Sequence, residues 1–139
     1  MFVARCFVQD LLSPWDDLMY VLRTALEDEP SPSRDITQLR IEIACGWIFH
    51  AALPLLKWAQ ENIGCQDVPA EDSSQYVEGG PLYQGPQTMC LKRWGFWMDR
   101  LEELGQRESG MSDDTRKLAL ETVQVMRATE RSVAHTLLK

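Results

Sequence analysis

Positive charge is in short supply in this chain: 14 Lys and Arg face 21 Asp and Glu, a formal net charge of −7 at a pI near 4.8. A nucleic-acid partner needs a basic face for its phosphates, and an anionic membrane surface needs the same, so both are excluded as expectations. The four cysteines, Cys6, Cys45, Cys65 and Cys90, lie far apart, with no C-x-x-C pair and no C-x-x-H arrangement. Zinc ligands come closely spaced, so no metal site is expected. Met1–Leu12 carries Arg5 and Asp10 and lacks the apolar core of a secretory signal. The longest nearly uncharged run, Ile43–Leu56, falls short of the ~20 residues a bilayer requires. With no signal and no disulfide framework, the expected compartment is the reducing cytoplasm. Strand alternation, internal repeats and low-complexity tracts are missing as well.

What remains is helical punctuation. Ser13-Pro14-Trp15-Asp16 is a helix start: Ser13 can cap, Pro14 suits the first helical position, and Asp16 and Asp17 favour the positive helix end. Trp15, Leu18, Met19, Leu22, Ala25 and Leu26 then repeat at helical spacing until Pro30-Ser31-Pro32. Phe2–Leu12 reads as a short preceding helix. Asp35 and Gln38 have the spacing of a capping box, opening a helix whose Ile36, Ile43, Trp47, Ala51, Pro54 and Trp58 share one face. Phe49 and Leu56 make its opposite face apolar too, so it is expected to be buried all round and central, bent by Pro54.

Residues 65–87 hold Pro69, Pro81, Pro86, Gly79, Gly80 and Gly85 and show no period, which predicts a long irregular loop. After Thr88, one arc gathers Cys90, Leu91, Trp94, Trp97, Met98, Leu101 and Leu104, and Gly105 ends the helix. Ser112 caps a last helix with Asp113 and Asp114 in its first turn; Leu118, Thr122, Val125, Met126, Thr129 and Val133 run down its inner side. The expectation is an all-α single domain, residues 1–139, of four or five helices around a proline-kinked central helix.

Gly80-Pro81-Leu82-Tyr83, then Leu91-x-Arg93-Trp94-x-Phe96-Trp97-x-x-Arg100-Leu101, then Ser112-x-x-Thr115-Arg116-x-Leu118-Ala119, resembles the fungal domain-of-unknown-function 3632 family. Phe2-Val3-Ala4-Arg5 and Trp47-Ile48 fit the same family more loosely. The resemblance implies a fungal, helical, soluble protein, and it supplies no catalytic residues and no cofactor. It also implies that a helical portion upstream of Phe2 is lacking here, or that its packing is supplied by a second copy.

Two sets of candidate residues follow. His50 sits where Pro54 frees a backbone carbonyl, on the flank of the face holding Trp47, so imidazole and carbonyl could meet in one pocket. Trp94 and Trp97 would complete an apolar lining, with the loop over it. The plainer alternative is a satisfied buried histidine and tryptophans that fill the core. A lone histidine with no nucleophile or carboxylate beside it makes no catalytic constellation, so no catalytic residue is assigned and enzymatic activity stays open. Phe96 points away from its own stripe and Tyr20 lies on the polar side of its helix; together they would mark an interface. Arg93 and Trp97, four apart, could stack as a cation–π pair. Arg23 with Glu27 and Lys57 with Glu61 read as exposed helix pairs of small value. The functional expectation is an accessory protein for an apolar small molecule, in fungal secondary metabolism. The alternative is a protein-interaction module or homodimer without catalysis.

Overall fold

The structure, a computed structural model, describes residues 15–61 and 77–137. Four α-helices make up its regular structure, α1 (Trp15–Leu26), α2 (Arg34–Glu61), α3 (Leu91–Leu104) and α4 (Asp113–Leu137), with a short 3-10 turn at Arg107–Ser109. No strand occurs among the described residues, and the all-α expectation holds. The expected helix at Phe2–Leu12, the Ser13–Pro14 start and most of the loop from Cys65 lie outside the described residues.

Several helix ends have a readable reason. Ser33 precedes α2 and its Oγ accepts from the Ile36 amide at 3.4 Å, while Asp35 stands in the first turn against the helix dipole. Gln38 is not the second half of a capping box: its Oε1 accepts from the Ser112 amide at 2.6 Å, tying the start of α4 to α2. Ser112 caps α4 through the Thr115 amide at 3.2 Å. Gly105 closes α3 in an ordinary right-handed conformation, so its value is spatial: a Cβ there would overlap the Leu120 side chain of α4. Gly110, at φ 77°, is the position whose left-handed backbone favours glycine.

The core sits between α2 and the other three helices. Ile41, Ile48 and Leu55, seven residues apart, are fully buried on α2 and meet Leu18, Leu22 and Leu26 of α1, Trp94, Trp97 and Leu101 of α3, and Ala119, Val123 and Met126 of α4 in one cluster. α2 packs most extensively against α4. It runs unbroken through Pro54.

The expectation that α2 is buried all round is corrected here. Ile36, Leu39, Ile43, Phe49 and Leu53 are exposed, with Leu39 at 54%, while Leu56 is buried. The apolar residues ring the helix, but the other helices cover one side only. By length and composition alone α2 could cross a membrane; half of its most apolar stretch is instead buried inside the helical cluster.

Candidate functional site

Just past the C-terminus of α1, Glu27 is fully buried and faces the equally buried Arg93 of α3. Arg93 Nε donates to Glu27 Oε2 at 2.8 Å and Nη2 donates to Oε1 at 2.8 Å, the bidentate geometry that suits a guanidinium to a carboxylate. The remaining donors of Arg93 reach the carbonyls of Val77 at 2.8 Å, Glu78 at 3.1 Å and Thr88 at 3.5 Å. Glu27 accepts two further bonds, from Trp97 Nε1 at 2.7 Å and from the Gly80 amide at 3.1 Å. Both ions therefore have their hydrogen-bonding capacity filled, which offsets the cost of taking them out of water.

The segment 77–90 is folded around this pair. The Leu82 amide donates to the Glu27 carbonyl at 2.8 Å, and the Tyr83 hydroxyl donates to the Pro86 carbonyl at 2.9 Å. The Tyr83 ring lies 4.9 Å from the Arg93 guanidinium, and the Phe96 ring meets Tyr83 edge-on at 5.4 Å. Burial pushes the Tyr83 phenol well above its usual range, with the neighbouring Cys90 adding to the shift. Gly80 approaches so closely that a Cβ would stand 2.6 Å from the Glu27 carbonyl oxygen. Gly80, Leu82, Tyr83, Arg93, Phe96 and Trp97 thus form a clamp that fastens an irregular segment to α1 and α3. With every strong donor and acceptor committed, the clamp has nothing left to offer a substrate.

The structure rearranges several expected pairings. Glu27 is not an exposed partner of Arg23; Arg23 instead reaches Asp28 and Glu78, each at 3.8 Å. Arg93 does not stack on Trp97, because both point at Glu27, and its aromatic partner is Tyr83. Phe96 is half-buried against Tyr83, whereas Tyr20 is 67% exposed on α1. A carboxylate at the end of a helix and an arginine among tryptophans carry no sequence signal that they will meet across 66 residues. The expected pairing of Arg93 with an aromatic neighbour was the closest available hint.

The proposed pocket lining divides. Trp47, Trp94 and Trp97 are buried in the core, and His50 is exposed on the outer side of α2. Trp94 Nε1 is buried without a hydrogen-bond partner. Two concavities among the described residues lie elsewhere: an open trough beside Gly105 and Leu120, and a narrow cleft between Thr24, Glu29, Arg40 and Arg100. Neither includes any of the four. Among the described residues no three His, Cys, Asp or Glu side chains converge to hold a metal ion. Cys45 and Cys90 are buried and not joined in a disulfide, and burial pushes the Cys45 thiol up to about 11.

The feature that is both organised and exposed is the outer side of α2. Ile36, Leu39, Ile43, Gly46, His50, Leu53 and Lys57 follow one another at alternating spacings of three and four. That is the spacing of a coiled-coil seam, apolar at four of its seven positions, lying opposite the buried Ile41, Ile48 and Leu55. Phe49, 43% exposed, flanks it. Sequence reading missed the seam because apolar residues occupy both sides of α2, and only the packing decides which side is covered.

No curated protein and no solved structure matches the chain. A family model does match, over residues 1–101, a span that contains Glu27 and every other residue of the clamp. The chain therefore belongs to the protein family of unknown function DUF3632.

Proposed function

We propose that this protein is an interaction module whose working surface is the outer side of α2. The observation that carries the reading is the exposed row Ile36, Leu39, Ile43 and Leu53, with Phe49 beside it. A single exposed apolar side chain is ordinary, but five on one side of one helix are the kind of patch that marks a binding surface. Asp35 and Glu42 add polar groups beside the row, and His50 and Lys57 interrupt it. Cys45 and Cys90, buried and outside any disulfide, support a reducing, cytoplasmic setting. The small-molecule reading has less to stand on, since Trp47, Trp94 and Trp97 fill the core and His50 stands apart from them.

The test is native mass spectrometry on protein purified gently from its own host, beside a Leu39→Asp variant. A protein-protein complex that is lost in the variant is the expected result. A monomer carrying a few hundred extra daltons in both proteins would overturn the reading in favour of a bound small molecule.

A further inference from the structure

We infer that the partner seated on the outer side of α2 is a second copy of this chain, packed antiparallel with the two copies of Gly46 at the crossing. The inference rests on the interaction reading above and names its occupant.

The argument is the symmetry of the surface itself. A two-fold axis at Gly46 brings each residue before it level with the one equally far after it on the partner helix. Leu39 and Leu53 both lie seven residues from Gly46, so each leucine meets the other across the seam. Glu42 and His50 lie four residues away on either side, and Asp35 and Lys57 eleven. Asp35 is therefore matched by Lys57, and Glu42, whose Oε1 also accepts from Thr115 Oγ1 of α4 at 3.5 Å, by the His50 imidazole. Because the operator is two-fold, every such pair forms twice.

A parallel pairing loses this. It would set Glu42 against Glu42 and Lys57 against Lys57, placing like charges along the seam. The geometry of two helices is compatible with the antiparallel arrangement. At 100° per residue these side chains fall within roughly 40° of Gly46 around the helix, which keeps them inside the contact. At an interaxial distance of ~8–10 Å and a crossing angle near 20°, residues up to three turns from the crossing still meet. A glycine at the crossing, having no side chain, favours the short end of that distance. Ile43 and Phe49 flank the seam and exclude water from it.

Disulfide trapping reads this register directly. In a background carrying Cys6→Ser and Cys65→Ser, Leu39→Cys and Leu53→Cys are placed singly and together, then oxidised. Within one helix these positions lie ~21 Å apart, too far for an internal bond. The double variant, and an equimolar mixture of the two single variants, should run as covalent dimers; neither single variant alone should. A bond between two copies of the Leu39→Cys variant would overturn the antiparallel register, as would failure of the double variant and the mixture to cross-link.

Charge exchange gives an independent readout, with the fold of each variant checked by circular dichroism because Glu42 Oε1 also accepts from Thr115 Oγ1 at 3.5 Å. Glu42→Lys and His50→Glu should each weaken self-association at least tenfold, and combining them should restore it. Absence of recovery in the double variant contradicts the pairing. The two failures are distinguishable: a wild-type chain that stays monomeric, yet holds another protein in a Leu39-dependent complex, sinks the second copy and spares the interaction reading. A monomer that binds no protein but takes up phosphatidylcholine–phosphatidylserine vesicles through α2 sinks both.

Discussion

Glu27 and Arg93 are each fully buried, and each is the other's counter-charge at 2.8 Å. Removing one partner leaves an uncompensated ion with its hydrogen bonds broken. Glu27→Ala should therefore cost about 3–5 kcal/mol, a large share of the ~5–15 kcal/mol that holds a domain folded, read from urea denaturation. Two tryptophans of similar burial separate packing from hydrogen bonding. Trp97 donates to the Glu27 carboxylate, while the Trp94 N–H has no partner. Trp97→Phe should destabilise by about 1.5–3 kcal/mol more than Trp94→Phe, since the volume lost is the same and only one change breaks a bond to a charged group. Equal losses would show that the Trp97 bond contributes nothing. Cys45 gives a pH dependence with a definite sign. Its folded thiol ionises near 11 against an ordinary 9.0, so the unfolded chain loses its proton first as pH rises. Its contribution is fully present below pH 9 and is lost between pH 9 and 11. Comparing wild type with Cys45→Ala over that window should show a steeper alkaline decline in the wild type.

At the scale of single elements, α2 shows where sequence reading reaches and where it stops. Periodicity and punctuation locate the described helices, because caps and helix-ending residues act locally: Ser112 and the Pro30–Pro32 break need no tertiary partner to be recognised. The inner side of α2 is harder. Both sides are apolar, and a pattern that is apolar all round reads as burial, yet Ile43 is 36% exposed and Ile41 is fully buried. Which isoleucine is covered depends on where α1, α3 and α4 arrive, and that information is spread over the whole chain. The clamp was illegible for a similar reason. Its residues were noticed singly, in a Gly-Pro-Leu-aromatic turn and an Arg-Trp-x-Phe-Trp helix, but Glu27 was read through its near neighbour Arg23 rather than through Arg93. The two sides of α2 separate by mutation. Ile41→Ala should cost about 2–5 kcal/mol as a core truncation, whereas Ile43→Ser should stay within about 0.5 kcal/mol in the monomer, both measured by denaturation at low protein concentration.

For the molecule as a whole, the two features divide the work. The clamp spends its polar groups internally and holds residues 77–90 against α1 and α3. The outer side of α2 leaves apolar area facing water, the area that the proposed dimer would cover. The central claim is that this face self-associates, and the most direct measurement is sedimentation equilibrium of the wild-type chain and Leu39→Asp across a hundredfold range of concentration. The account predicts a wild-type mass that rises with concentration toward twice the 15.9 kDa chain, and a variant that remains at the single-chain mass while keeping its helical circular dichroism. A wild-type chain that stays at 15.9 kDa throughout, or a variant that dimerises as well as the wild type, would contradict it.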